Sequence, residues 1–228
     1  MKHIGIVACS AEGAALCYRT ICVEGETILG THRHPEVSMH TYSLGEYMEH
    51  IYKNDWQAVA DLMISSGQKL ANIGADFLIC PDNTLHLAFE FIPQQTSLPW
   101  FHIAEEVGRE AERAGLKKLG ITGTKYLMEG PVYPSRLKQF GIESITPPEE
   151  DRTKMNSIIF QELVKSKFLD GSRKYFSSVI QQLESRGCDG VVLGCTEIPL
   201  LIEQKDSVLP VLDSTRILAR AALKKAAG

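Results

Sequence analysis

The sequence contains no apolar run approaching the roughly eighteen residues that a membrane-spanning helix needs. Its first residues, Met1–Val7, lead directly into an apolar strand-like segment, without the long apolar core and small-residue cleavage site of a signal peptide. None of the six cysteines belongs to a Cys-x-x-Cys pair, and most lie in apolar surroundings. Such cysteines are typical of small reduced thiols in the cytosol. We therefore expect a cytoplasmic protein with no membrane partner.

Charge and nucleotide-binding motifs are also sparse. The net charge is only -4, with both signs mixed along the chain, so no basic surface for nucleic acid is expected. The sequence has no phosphate-binding loop, no dinucleotide fingerprint and no Gly-x-Ser-x-Gly elbow. With 44% hydrophobic and 23% charged residues, the composition is that of an ordinary globular enzyme.

What the sequence does contain is an alternation of short apolar segments and longer amphipathic ones. The helix predicted at 55–73 has its apolar residues on one face and ends at Gly74. The segment 77–80 is almost continuously apolar, as is typical of a parallel strand covered on both faces. We predict strands at 3–9, 37–43, 77–80, 97–103, 116–124, 143–146, 187–195 and 209–213, and helices at 10–24, 55–73, 104–114, 130–140, 156–164, 173–185 and 214–226. The predicted fold class is α/β.

Three pairs of similar segments recur in the same order along the chain. Gly5 and Gly120 are 115 residues apart, Gly74 and Gly187 are 113 apart, and Pro99 and Pro210 are 111 apart. These nearly constant offsets indicate a duplication. We therefore expect two pseudo-symmetric lobes, each a parallel sheet flanked by helices, with the active site in the cleft between them. The approximate boundaries are 1–98 with 210–228 for lobe 1, and 99–209 for lobe 2.

In the most informative repeat, each copy ends at a reactive side chain. Both copies begin Gly-x-Asp and run through an apolar strand, and the eighth position after the first glycine is Asp82 in one copy and Cys195 in the other. Ligands of such sheets bind beyond the carboxyl ends of the strands, where Ser10 and Thr124 are also expected. Ser10 could cap the following helix, whose N-terminal N–H groups would attract an anion such as a carboxylate.

Two proton-transfer groups at the ends of related strands suit a reaction that needs one group on each face of the substrate. Racemisation next to a carboxylate is the clearest case, because one group removes a proton and its counterpart returns one from the other side. A cysteine can serve as thiolate base or thiol acid. Surrounding hydroxyls and amides would bind the carboxylate and stabilise the enolate-like intermediate.

Several motifs carry a resemblance to a known family. Gly194–Leu201 resembles the C-terminal signature of the aspartate/glutamate racemase superfamily, and Asn83–His86 resembles its N-terminal signature, normally Cys-Asn-Thr-x-His. Gly123–Glu129 and Asn156–Leu163 resemble the aspartate racemase branch of that superfamily. The similarity spans essentially the whole chain.

The resemblance implies a two-lobed fold, no cofactor, no metal and a homodimer. It also implies an isomerase, an amino-acid racemase or epimerase acting on a small acidic amino acid such as aspartate or glutamate. Cys195 would be a catalytic acid/base. The remaining site residues would bind the substrate carboxylate or amino group, or orient the site: Ser10, Asn83, Thr84, Thr124, Thr196 and Glu197. For each of these polar residues, turn capping is the alternative role.

The sequence departs from the family at the first catalytic cysteine, where it has Asp82. Cys80 lies two residues upstream and is expected inside the sheet. Asp82 and Cys195 could form an asymmetric two-base racemase. Alternatively, Cys195 acts alone, as in the related single-cysteine decarboxylases or isomerases of small dicarboxylates. The third alternative is a non-catalytic protein that binds a small acid, and Asp82 could serve as a helix cap in any of the three.

Overall fold

The computed structural model describes residues 1–92 and 96–228, which divide into two compact units. Unit 1 comprises Met1–Ile103 and Thr215–Gly228, and unit 2 comprises Ala104–Ser214. The first half of the chain contains β1 (Ile4–Ala8), α1 (Ala11–Leu29), β2 (Val37–Thr41), α2 (Leu44–Ile51), α3 (Trp56–Asn72), β3 (Phe77–Ile79), a 3₁₀ helix (Thr84–Phe91), β4 (Trp100–Phe101) and α4 (Ile103–Arg113).

The second half repeats this plan. It contains β5 (Lys118–Gly123), α5 (Lys125–Glu129), α6 (Val132–Leu137), β6 (Glu143–Ile145), α7 (Glu149–Gln161), α8 (Asp170–Ser185), β7 (Gly190–Gly194), α9 (Ile198–Leu201), β8 (Val211–Asp213) and α10 (Ser214–Ala227), with short 3₁₀ helices at Lys138–Phe140, Leu163–Lys165 and Gln204–Asp206. The strand orders are β2-β1-β3-β4 and β6-β5-β7-β8, and every pairing is parallel. The predicted α/β class with two similar parallel sheets is confirmed.

The repeated glycines have the same role in both units. Gly74 follows α3 with φ +94°, and Gly187 follows α8 with φ +87°. Both values lie in the left-handed region, which glycine enters at little cost because it has no Cβ. The same backbone reversal therefore ends the helix that precedes β3 and β7.

The aspartate of each Gly-x-Asp repeat fixes the start of the first strand in its unit. Asp76 accepts a hydrogen bond from the backbone N–H of His3 at 2.6 Å, and Asp189 accepts one from that of Lys118 at 2.9 Å. Asp189 also accepts from Lys117 at 2.7 Å. These charge-assisted hydrogen bonds fix the alignment of two adjacent strands at their amino-terminal ends.

The repeated prolines belong to the edge of each sheet. Pro99 O accepts from Leu78 N, and Pro210 O accepts from Val191 N, both at 2.9 Å. The lobe boundaries predicted from the sequence therefore differ from the units. Residues 99–103 had been placed in lobe 2 and 210–214 in lobe 1, whereas β4 pairs with β3 in unit 1 and β8 pairs with β7 in unit 2.

Each unit has its own apolar core. In unit 1, Ile4, Ile6, Phe77 and Ile79 of the sheet are buried together with Leu218 of α10. The C-terminal helix therefore completes the core of the first unit. In unit 2, the core of the central strand β7 includes residues of α7 and α8: Met155, Ile159, Phe176, Ile180, Val191 and Leu193.

Three local predictions need correction. Helix α7 was predicted at 156–164, but it begins at Glu149, and the acidic residues of its first turn favour a helix N-terminus. Helix α2 was missed, although Ser43 and Glu46 form a capping box at its start. Ser10 occupies the N-cap position of α1, but its side chain makes no capping hydrogen bond. No described helix combines the length and apolar character needed to cross a membrane.

Candidate active site

Cys195 lies in a buried turn immediately after β7, and only 7% of its surface is exposed. Its Sγ donates a hydrogen bond to Glu197 Oε2 at 3.0 Å. The hydroxyl of Thr196 donates to the same carboxylate oxygen at 2.8 Å. Glu197, which is 2% exposed, therefore orients both neighbours and lies within proton-transfer distance of the thiol.

Two glycines permit the close approach that shapes this turn. A Cβ on Gly194 would lie 2.6 Å from Thr122 O and 2.5 Å from a methyl carbon of Leu127. A Cβ on Gly123 would lie 2.9 Å from Gly194 O. Because backbone atoms cannot move aside as a flexible side chain does, β5 and β7 can end this close together only with glycine at both positions.

Replacing Gly194 by alanine is therefore expected to lower the free energy of unfolding by about 1–3 kcal/mol, a typical cost of overpacking. To relieve the clash, the backbone at position 194 would have to move, which would also displace the adjacent Cys195 and reduce turnover. Chemical denaturation and initial rates measure both effects. Gly171→Ala is the matched control, because a Cβ there meets nothing within 4 Å and alanine favours the helix. Equal stability of the Gly194→Ala variant and the wild type would contradict the steric argument.

Thr124 performs the capping role that the sequence left open. It precedes α5, and its hydroxyl oxygen accepts a hydrogen bond from the backbone N–H of Leu127 at 3.3 Å. The next backbone N–H, that of Lys125, donates to Asn156 Oδ1 at 2.9 Å. Asn156 belongs to a segment that carried the family resemblance but was not named as a site residue. Its signal in the sequence was that resemblance alone.

Asp82 lies at the corresponding position of unit 1, after β3. Its Oδ1 accepts hydrogen bonds from the backbone N–H groups of Thr84 at 3.0 Å and Leu85 at 3.3 Å. This carboxylate oxygen therefore caps the 3₁₀ helix that begins at Thr84, as the alternative interpretation of the sequence allowed. Asp82 is half-buried, whereas Asn83 and Thr84 are buried in the same turn.

A histidine supports the Asp82 turn from within unit 1. His86 Nε2 donates to Cys80 O at 3.1 Å, which links the start of the 3₁₀ helix to the end of β3. The imidazole stacks on Phe89 with ring centroids 5.2 Å apart, and contacts His102 edge-on at 4.6 Å. His86 therefore has a structural role in positioning the turn.

Cys80 is enclosed in unit 1 and does not take the place of the missing cysteine. Its side chain is completely buried, and its thiol lies 3.8 Å from the backbone oxygen of Asp82. Burial, followed by the negative charge of Asp82, raises the pKa of the Cys80 thiol well above its ordinary value. The thiol is therefore protonated and inert at neutral pH.

The structure brings the predicted site residues together in two groups. In unit 1, Ser10 follows β1, and Asp82, Asn83 and Thr84 follow the adjacent strand β3. In unit 2, Thr124 follows β5, and Cys195, Thr196 and Glu197 follow the adjacent strand β7. Within the described ranges, no three His, Cys, Asp or Glu side chains are arranged to hold a metal ion.

A duplicated parallel α/β scaffold with polar side chains beyond paired strand ends is an architecture of small-molecule enzymes. The family model described as Asp/Glu/Hydantoin racemase matches residues 25–222. The chain belongs to this family, and it is an isomerase of the racemase type. The matched region contains Asp82, Thr124 and Cys195 but not Ser10.

Individual relatives agree with this assignment. The chain is 26% identical over 167 residues to the broad specificity amino-acid racemase RacX of Bacillus subtilis, covering 73% of this chain and 72% of the relative. A structure of a candidate Asp/Glu racemase from Yersinia pestis is 33% identical, with a TM-score of 0.89 and complete coverage of both chains. An aspartate racemase homologue from Pyrococcus horikoshii is 27% identical, with a TM-score of 0.85 and complete coverage of both.

Proposed function

We propose that the protein is a racemase or epimerase of an acidic amino acid, such as aspartate or glutamate. In this proposal Asp82 and Cys195 remove and return the α-proton from opposite faces of one substrate. The observation that carries it is the buried Cys195 thiol, hydrogen-bonded to Glu197 at 3.0 Å beyond the end of β7. The named activities of the relatives support an amino-acid substrate, and two of them support an acidic one.

Cys195 supplies the better-defined half of the reaction. As an acid, its thiol gives a proton to the α-carbon and becomes a thiolate. As a base, the thiolate takes the α-proton, and Glu197 is close enough to accept the thiol proton beforehand. Because Thr196 donates to the same Glu197 oxygen, that oxygen keeps one hydrogen bond in either state.

Asp82 would supply the other half with a carboxylate that also holds its own turn. Oδ1 accepts from Thr84 and Leu85, so the carboxylate has a fixed orientation. A carboxylate is a weaker base than a thiolate toward an α-proton. We therefore expect an asymmetric enzyme, with unequal rates from the two enantiomers.

The substrate carboxylate and amino group would be bound by Ser10, Asn83, Thr84, Thr124 and Thr196. Several of these residues are buried and already hydrogen-bonded, so they are held in place before a substrate arrives. Preorganised donors stabilise the developing enolate more effectively than water does, because they need not reorient during the reaction.

Exchange of the α-proton in deuterium oxide tests the proposal. Each enantiomer of aspartate, glutamate and neutral amino acids is incubated with the enzyme and followed by proton NMR and chiral chromatography. Exchange with inversion supports two bases, and exchange with retention supports Cys195 alone. No exchange with any amino acid would refute the racemase proposal.

The single-cysteine alternative deserves its own assay, because the capping role of Asp82 favours it. A decarboxylase or isomerase of a small dicarboxylate would convert substituted malonates or unsaturated dicarboxylates, detectable by carbon dioxide release or proton NMR. Saturable binding of these acids without conversion or exchange would instead indicate a binding protein. We also propose a homodimer, as the family resemblance implies, and light scattering would measure its mass.

A further inference from the structure

A cavity of about 470 Å³ lies within unit 2, beside α5 and α6 and the segment that joins β6 to α7. Its lining mixes polar and apolar residues, and the apolar ones include Ile121, Met128, Tyr133, Ile145 and Pro147. None of the proposed catalytic or substrate-binding side chains is among the described residues that line this cavity. A volume in this range accommodates a small organic ligand.

Two arginines line this cavity, and both bind the connecting segment between β6 and α7. Arg186 donates to Thr146 O at 2.8 Å, and Arg152 donates to Pro147 O at 2.9 Å. Both guanidinium groups therefore contact the same short segment of the cavity lining. Each guanidinium has five N–H donors, so these contacts use only part of its capacity.

The charged side chains of the described lining are two arginines and one glutamate. Glu129 is the acidic side chain among the lining residues, and its carboxylate lies 3.2 Å from Arg152 Nε. Lys125, on the same helix, lies 3.9 Å from Glu129. Arg186 is therefore the lining cation whose charge is not balanced by a carboxylate of the lining. A ligand with one negative charge and an apolar body complements these walls.

We propose that this cavity binds a small monocarboxylate with an aromatic or branched apolar group. Its carboxylate is held by Arg186 together with Arg152, and its apolar body contacts Pro134, Ile145 and Pro148, the apolar lining residues with accessible surface. Guanidinium groups form paired, charge-assisted hydrogen bonds with carboxylates, which gives both affinity and orientation. This site is separate from the racemase reaction proposed above and does not depend on it.

Fluorine NMR of 4-fluorophenylacetate, titrated with the full-length protein, tests the site. Saturable broadening or shift is expected for this acid and not for the neutral 4-fluorophenylacetamide. Arg186→Gln should weaken binding about ten-fold or more, the usual effect of losing a charge-assisted hydrogen bond. Ser144→Phe, which keeps both arginines but adds a bulky side chain to the cavity lining, should abolish binding.

Arg113→Gln is the matched control, because Arg113 is an exposed arginine of unit 2 that does not line the cavity. It should bind the probe as the wild type does, and excess aspartate should not displace the probe. Thermal melting of each variant checks that unit 2 remains folded. Unchanged binding in folded Arg186→Gln and Ser144→Phe, or absence of saturable binding to the wild type, would overturn the proposal.

Discussion

Replacing Cys195 by alanine is expected to lower racemisation about a hundred- to ten-thousand-fold, because a positioned acid or base contributes roughly 10²–10⁴ in rate. The variant removes the thiol that Glu197 orients at 3.0 Å while leaving the carboxylate bonded to Thr196. α-Proton exchange and chiral product analysis measure the loss. Inversion should fall together for the L and D substrates, since Cys195 acts once in each direction.

Cys188→Ala is the appropriate control, because Cys188 is a buried cysteine of the same unit that lies before β7 rather than after it. Burial is the main cause that raises the pKa of its thiol, so it is a poor nucleophile and base. This variant should retain wild-type turnover. Retained activity in Cys195→Ala would mean that the catalytic residue has been assigned incorrectly.

Replacing Asp82 by asparagine is expected to reduce racemisation about a hundred-fold or more while leaving the turn intact, because asparagine removes the base but remains an effective helix cap. Its side-chain oxygen can still accept from Thr84 and Leu85. Exchange catalysed by Cys195 should persist for one enantiomer, with retention of configuration. The comparison between inversion and exchange therefore isolates the second base.

Asp82→Ala provides the structural control, because it removes both the base and the cap. It should lower the free energy of unfolding by about 1 kcal/mol, an ordinary cost of losing a cap, whereas Asp82→Asn should not. Full inversion activity in the asparagine variant would show that Asp82 only caps the helix. Asp82→Cys should instead increase ordinary aspartate or glutamate racemisation, and no gain would place the limitation in the substrate pocket.

Much of the fold could be predicted because the apolar strands and helix-ending glycines are local signals. The repeat of Gly74 at Gly187 and of Pro99 at Pro210 also revealed the duplication. The errors occurred where local pattern does not decide. Helix α7 starts among acidic residues that resemble a loop in composition, and the assignment of β4 and β8 depends on which strand each pairs with.

The sequence predicted where the site residues lie relative to the strands, but it did not predict which atoms their side chains contact. Spacing placed Asp82 and Cys195 after equivalent strands, yet it could not show that Asp82 Oδ1 caps its own turn or that the thiol of Cys195 meets Glu197. Those outcomes depend on side-chain rotamers in irregular turns. The presence of Arg152 and Arg186 in the lining of one cavity has no sequence pattern, since the two residues are far apart in the sequence and meet only through the segment that joins β6 to α7.

The bonds made by Asp76 and Asp189 have a consequence for how such a protein can evolve. Each aspartate ties its sheet together at the amino ends of the strands, and Pro99 and Pro210 tie the edge strands in equivalent ways. These hydrogen bonds do not involve Asp82 or Cys195, the residues that follow β3 and β7. A substitution of a thiol by a carboxylate after one of these strands leaves the bonds at the amino ends of the sheet unchanged. The catalytic residue of one unit can therefore change without loss of either fold.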